Sequence, residues 1–139
     1  DRVFQQLPPE IVDFLRDPPI NGSLRSMRRI ETAALREMLL SVNGIGPETA
    51  DSILLYALEK PVFVVDAYTR RIFSRLGLAP ESVGYEELRG LFEKKLPADV
   101  GLYNDFHAQL VALGNRICKK RAIWEECPLS SMGLCRPQN

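Results

Sequence analysis

The chain has 139 residues, of which 45% are hydrophobic and 26% are charged, and its formal net charge is zero. This composition is that of one globular domain with a single small core, and the charge gives no overall basic excess that would by itself indicate a nucleic-acid partner. No apolar run approaches the roughly 20 residues of a membrane-spanning helix, and residues 1–7 lack the apolar region of a signal peptide. The sequence therefore predicts a cytoplasmic protein.

Helical patterns follow one another along the first half of the chain. Residues 8–17 begin with proline and place apolar side chains on one face, which predicts a short helix. Residues 23–42 are predicted to be helical, either as one helix or as an interrupted one. A further helix is predicted over 47–59. Residues 60–71 are the one candidate for a strand, but a lone strand leaves its backbone groups unpaired. We therefore predict a buried extended connector in that segment.

Three more helices are predicted in the second half, over 67–76, 85–96 and 102–118. The fold class is therefore all-α. We expect residues 1–117 to form a helical bundle and residues 118–139, which have no clear period, to form a cysteine-containing loop packed on it.

The segment Val-Asn-Gly-Ile-Gly-Pro-Glu joins two of the predicted helices. Glycine permits backbone dihedrals that other residues avoid, and proline suits the first turn of a helix. The unpaired amides and the dipole at such a helix start suit an anion, usually a phosphate. The segment thus predicts a helix–hairpin–helix at about 35–58 that holds a phosphodiester backbone; the alternative is a plain helix–helix turn. The candidate contacts are Gly44, Ile45, Gly46, Pro47 and Glu48.

Basic residues are concentrated in three runs, at 25–29, 69–75 and 115–121. A local basic stripe can bind DNA even where the net charge is zero. The alternative is a set of solvated helix faces. The candidate DNA contacts from these runs are Arg70, Arg71, Lys119, Lys120 and Arg121.

Residues 39–78 resemble the signature of the helix–hairpin–helix DNA glycosylases, which include endonuclease III, adenine glycosylases and 3-methyladenine glycosylases. The signature pairs the Gly-x-Gly hairpin with a Val-Asp about twenty residues later, here Val65-Asp66. The resemblance extends over residues 8–135 and implies that Asp66 is catalytic. Cleavage of an N-glycosidic bond builds positive charge on the sugar, which a carboxylate stabilises while it can also activate water. Taken alone, an acidic residue before a helix is most often an N-cap.

Glu48 departs from part of this family. Bifunctional members carry a lysine two residues after the second hairpin glycine, and its amine forms a Schiff base that permits strand cleavage. A carboxylate cannot form that imine, and Lys60 does not match the position. The resemblance therefore implies a monofunctional base-excision-repair glycosylase, similar to the 3-methyladenine members, that releases a damaged, alkylated base from duplex DNA. The rivals are a non-catalytic DNA-binding module on a degenerate glycosylase scaffold and an all-α protein-interaction domain.

The three cysteines, Cys118, Cys127 and Cys135, lie close together near the end of the chain. An odd number argues against a disulfide framework. The resemblance implies a [4Fe–4S] cluster, which the family holds with four thiolates, but Trp124 stands where the second is expected. The cysteines thus hold a cluster with a non-cysteine fourth ligand, or form a metal-free loop packed around Trp124; a zinc site is a third alternative.

The family has further N-terminal helices before the segment that matches residues 8–17. We therefore expect a fragment, a reduced member or one chain of an assembly, with a second chain covering the incomplete core. The protein is expected to associate with the nucleoid when it binds DNA. His107, the only histidine, is predicted to pack or to form a hydrogen bond rather than to act in catalysis, and Tyr68 either shapes the pocket or belongs to the core.

Overall fold

The computed structural model describes residues 9–135, and within this range the secondary structure is helical, with no strand. The predicted all-α class is confirmed. The chain divides into two compact units, and the boundary lies between Val62 and Phe63. None of the described helices is long and apolar enough to cross a membrane.

The first unit contains four short helices within residues 9–62. The predicted helix over 23–42 is interrupted, because Ser23 caps one helix and the Glu31 carboxylate caps the next by accepting hydrogen bonds from the amides of Ala33 and Ala34. The predicted helix over 47–59 begins at its proline and passes into a π-helical turn. The helices are α1 (Pro9–Arg16), α2 (Leu24–Arg29), α3 (Thr32–Leu40) and α4 (Pro47–Ser52), which the π-helical turn Ile53–Ala57 continues.

Apolar side chains from all of these elements form the core of the first unit. Arg36 of α3 and Asp51 of α4 form a two-point ion pair at the edge of this core, with Nε–Oδ1 and Nη2–Oδ2 distances of 2.7 and 3.1 Å. The Asp51 side chain is fully buried, where an ion pair offsets part of the cost of removing a carboxylate from water. The pair fixes the two helices on either side of the hairpin. Buried core residues include Ile20, Met27, Leu35, Leu39, Ile45, Ala50, Leu54 and Leu58.

The described part of the second unit is built on three helices of 9, 11 and 17 residues and an aromatic core. Phe63 stacks on Phe92 with ring centroids 4.0 Å apart and meets Tyr103 edge to face at 5.3 Å. The elements are α5 (Ala67–Arg75), α6 (Tyr85–Lys95), α7 (Val100–Arg116), a 3-10 turn (Trp124–Glu126) and α8 (Pro128–Ser131).

The segment before α5 is neither helical nor paired as a strand, which agrees with the predicted connector. Its apolar side chains are buried from 62 to 65. The amide of Phe63 donates to Glu93 Oε1 at 3.0 Å, and the amide of Asp66 donates to Thr69 Oγ1 at 3.4 Å. Side chains thus accept two of the amides that a neighbouring strand would otherwise bind, and the segment delivers Asp66 to the start of α5.

Helices α5 and α7 make a close contact at Gly114. A Cβ atom at this position would lie 2.4 Å from Cδ1 and 2.7 Å from Cβ of Tyr68. Because real Cβ atoms do not approach other atoms so closely, only glycine permits this packing. The contact fixes α5, which begins directly after Asp66, against α7.

Candidate functional site

The hairpin between α3 and α4 is anchored by one apolar residue. Ile45 is 6% exposed in the core of the first unit, and its amide donates to the carbonyl of Val42 at 3.1 Å. Gly44 has a φ of +93°, which other residues rarely adopt. Gly46, with a φ of −88°, caps α4 without a side-chain hydrogen bond.

The backbone of the hairpin is open to solvent. The first helical hydrogen bond of α4 runs from the amide of Ala50 to the carbonyl of Gly46 at 2.9 Å, so the amides of Glu48 and Thr49 precede the helical ladder. No atom lies within 4 Å of a Cβ built on Gly44 or Gly46. This backbone is therefore accessible to an anion, and its contact with a phosphate stays a prediction.

The carboxylate of Asp66 caps α5 through one oxygen and contacts His107 through the other. Oδ1 accepts hydrogen bonds from the amide of Thr69 at 2.9 Å and from its hydroxyl at 3.0 Å. Oδ2 lies 3.2 Å from Nε2 of His107 on α7. The N-cap role and a chemical role are thus compatible, because they use different oxygens.

The environment of Asp66 keeps it ionised. Its side chain is 12% exposed, and burial by itself would raise its pKa. The hydrogen bond from His107 and the two from Thr69 more than offset this effect, so the pKa of Asp66 lies below its ordinary value. The second unit thus presents a negative charge in a partly dry setting, where electrostatic effects are strong.

His107 is the functional neighbour that sequence reasoning missed. The sequence indicated a packing or hydrogen-bonding role, and the hydrogen bond is present, but its partner stands 41 residues away. Neither spacing nor composition could have found this partner. The contact between Asp66 and His107 depends on the packing of α5 against α7 at Gly114.

Two predicted DNA-contacting arginines are half-buried and bind backbone carbonyls of their own unit. Arg70 donates to the carbonyl of Val83, and Arg71 donates to the carbonyls of Cys118 and Gly114 at 2.8 and 3.2 Å. Both also line a cavity of about 490 Å³ with Arg75 and Lys120. A basic groove therefore lies on α5, and its contact with DNA stays a prediction.

Arg75 organises the basic run that follows α7. Its Nη1 donates to the carbonyl of Lys119 at 2.5 Å and to Sγ of Cys118 at 3.2 Å, and its Nη2 donates to the carbonyl of Lys120 at 2.7 Å. The predicted contacts Lys119, Lys120 and Arg121 are exposed. One guanidinium thus fixes the backbone that carries these exposed cations.

The three cysteines are buried and line one small cavity with Trp124. The cavity has a volume of about 10 Å³, which is close to the minimum for a single water molecule. Among residues 9–135, no three His, Cys, Asp or Glu side chains converge as a group that could hold a metal ion. The residues as placed therefore do not fit a four-iron cluster, and Trp124 occupies the cavity wall with the thiols.

The two residues that bear on strand cleavage differ in their surroundings. Glu48 is exposed in the first turn of α4. Lys60 is 9% exposed, and its Nζ donates to the carbonyls of Arg28 and Ile30 at 3.2 and 2.7 Å. Lys60 thus binds the backbone at the end of α2, as a structural cation.

Comparison with known proteins agrees with the helix–hairpin–helix class that the sequence resembles. Residues 31–56 match the family described as the helix-hairpin-helix motif. The chain is 49% identical over 106 residues to the "Putative DNA repair glycosylase" of Methanocaldococcus jannaschii, covering 76% of this chain and 48% of that protein. It is 33% identical over 99 residues to endonuclease III of Sulfolobus acidocaldarius, covering 70% and 44%.

A solved structure titled as a non-covalent endonuclease III–DNA complex has the same fold. Its TM-score is 0.67 at 21% identity, with coverage of 97% of this chain and 72% of that one. The motif, the relatives and the fold define a helix–hairpin–helix protein. The chain belongs to the helix–hairpin–helix DNA glycosylase superfamily and is endonuclease III-like. It spans about half the length of the relatives that it matches.

Proposed function

We propose that this chain acts in base-excision repair and hydrolyses the N-glycosidic bond of a damaged base in duplex DNA. The observation that carries the proposal is the ionised carboxylate of Asp66, which is 12% exposed and hydrogen-bonded through both oxygens. A fixed charge of this kind stabilises the sugar cation that develops as the base leaves, and it orients or deprotonates the attacking water.

The hairpin supplies the sequence-independent part of DNA binding. The open backbone at Gly44 and Gly46 lets a phosphate approach the free amides of α4. The exposed side chains of Lys119, Lys120 and Arg121 add contacts of the same kind. Backbone contacts position a duplex without reading its sequence, which suits a protein that must search for a rare lesion.

The reaction stops at the abasic site. Glu48 stands where bifunctional members of the superfamily carry a lysine, and the ammonium of Lys60 is bound to two carbonyls. Neither residue offers an amine for a Schiff base. The same pattern resembles the 3-methyladenine glycosylases, and the substrate we propose is an alkylated purine, flipped out of the duplex for cleavage.

The test is base release from a panel of duplexes that each carry one lesion, with alkylated purines, oxidised pyrimidines and uracil included. We expect release from the alkylated duplex, with a salt-dependent affinity for every duplex of the panel. Salt-dependent binding without release from any lesion would contradict the proposal and favour the non-catalytic DNA-binding module.

A further inference from the structure

The two carboxylate oxygens of Asp66 have different hydrogen bonds. Oδ1 accepts from the amide and the hydroxyl of Thr69 at 2.9 and 3.0 Å. Since a carboxylate oxygen has about two lone-pair directions, Oδ1 is fully used. Oδ2 accepts from Nε2 of His107 at 3.2 Å, which leaves one direction for a further donor. Oδ2 is therefore the oxygen that can meet water or the reacting sugar.

The proton in this contact belongs to the histidine. The pKa of Asp66 lies below its ordinary value, although its burial acts in the other direction, so the group is ionised at neutral pH. An ionised carboxylate only accepts hydrogen bonds, and Nε2 of His107 must donate. Because this nitrogen already holds a proton, it cannot receive one from Asp66. The contact orients the carboxylate and does not relay protons.

We propose that His107 is a positioning residue whose Nε2–H fixes Oδ2 of Asp66 so that its remaining lone pair faces the attacking water or the sugar cation. Both side chains are nearly buried, with 13% and 12% exposed. The two helices that carry them are in contact at Gly114, where no other residue fits. The pairing rests on geometry alone, and its part in base release rests on the proposed function.

His107 also carries a measurable electrostatic effect. It is the one titratable side chain among the described residues whose charge and hydrogen bond lower the pKa of Asp66, and Thr69 supplies the other hydrogen bonds. If the Nε2–H donor of His107 is removed, only the hydrogen bonds from Thr69 remain to oppose the rise in the pKa of Asp66 that burial causes. The pKa of Asp66 then rises. Because a change in burial also alters this pKa, a variant that keeps a donor at position 107 is needed to isolate the effect of the hydrogen bond.

Two variants of His107 separate the effect of its hydrogen-bond donor from the effect of its packing. His107→Gln keeps an N–H donor on a side chain of similar reach, and His107→Leu keeps apolar volume without a donor. Asp105→Asn, on an exposed position of α7, is the matched control. Each variant is measured by carbon-13 NMR titration of the Asp66 carboxyl group, by single-turnover base release from an alkylated duplex, and by DNA affinity.

We expect His107→Leu to raise the pKa of Asp66, to slow base release by up to about 100-fold through misplacement of Oδ2, and to leave DNA affinity unchanged. His107→Gln should retain most of both the low pKa and the rate, and Asp105→Asn should match the wild type.

An unchanged pKa of Asp66 in His107→Leu would overturn the inference, as would equal rate losses in the leucine and glutamine variants. If the pKa rises as expected while even the wild-type chain releases no base, the pairing is supported and the proposed function is contradicted. The two failures are therefore distinguishable.

Discussion

The carboxylate of Asp66 combines a structural and a chemical task in a single residue. Oδ1 completes a capping box with Thr69 at the start of α5, an arrangement that stabilises a helix start. Oδ2 lies against His107 and is the oxygen left for chemistry. A cap residue is held in one rotamer by its helix, so the cap also fixes the position of the reactive group.

The ionisation of Asp66 predicts how stability depends on pH. Its pKa is lower in the folded chain than in the unfolded one, so the unfolded chain binds a proton first as the pH falls. The resulting stabilisation is present above the unfolded pKa of about 3.9 and is lost as the pH falls through the folded pKa. Urea unfolding between pH 7 and 3 should give a shallower pH dependence for Asp66→Asn than for the wild type.

Asp105→Asn, at an exposed position, serves as the control for this measurement and should keep the slope of the wild type. Equal slopes for Asp66→Asn and the wild type would show that the carboxylate of Asp66 is not held in the ionised form by its neighbours.

Glu48 predicts the covalent chemistry of the chain. Borohydride should trap no protein–DNA adduct with the wild type, because a carboxylate forms no imine. Glu48→Lys places an amine two residues after Gly46, where bifunctional members of the superfamily carry theirs, and should yield a trapped adduct on a lesion-bearing duplex.

Lys60→Ala is the control for the trapping experiment. The ammonium of Lys60 is held by the carbonyls of Arg28 and Ile30. We therefore expect Lys60→Ala, like the wild type, to give no trapped adduct. A strong band from the wild type that disappears in Lys60→Ala would show that Lys60 is a nucleophile and that the monofunctional mechanism is wrong.

At the scale of elements, the hairpin contains two glycines with different requirements. Gly44 needs glycine for its φ of +93°, whereas Gly46 has an ordinary φ and open space around its Cβ direction. Gly46→Val should therefore keep the fold and weaken binding to all duplexes alike, because its side chain blocks the approach of a phosphate. Fluorescence anisotropy with damaged and undamaged duplexes measures this loss.

Gly90→Val is the matched control, because Gly90 lies on α6 with open space around its Cβ direction. It should leave DNA affinity unchanged. A loss of affinity in Gly46→Val that is confined to damaged duplexes would contradict a backbone-binding role for the hairpin.

The contact between α5 and α7 predicts a sharp stability effect at Gly114. A Cβ there would lie 2.7 Å from Cβ of Tyr68, an atom that no side-chain rotation can move away. Gly114→Ala should therefore separate the helices and lower the free energy of unfolding by about 1–3 kcal/mol. Denaturant unfolding measures this effect, and Gly90→Ala, where no atom is close, should show no loss. Equal stability of the two variants would mean that the helices are not in close contact.

At the scale of the whole molecule, most of the fold could be predicted from the spacing of apolar residues and from the residues that begin and end helices. Helices α1 to α7, the interruption in 23–42 and the connector before α5 were predictable, because proline, capping residues and apolar spacing are local signals. The π-helical turn Ile53–Ala57, the 3-10 turn and α8 were not predicted. The division between Val62 and Phe63 was not predicted. It falls inside a continuous apolar run, which carries no local mark of a boundary.

The site was predictable only in part, for a physical reason. The hairpin and Asp66 are visible as a motif, whereas the partner of Asp66 comes from a helix 41 residues later. The roles of Arg71 and Arg75 were hidden in the same way, since a basic run in a sequence does not reveal which guanidinium groups bind carbonyls of their own fold. Contacts between distant segments depend on packing that no short pattern encodes.

The most direct test of the account is one gel assay of an end-labelled duplex with a single alkylated adenine. The wild-type chain should leave the strand intact until alkali is added and should then give one cut at the lesion. Asp66→Asn should bind the duplex but give no alkali-dependent cut, because its amide keeps the size of the side chain and loses the charge. Equal cutting by the two chains after alkali, or cutting by the wild type without alkali, would contradict hydrolysis by Asp66.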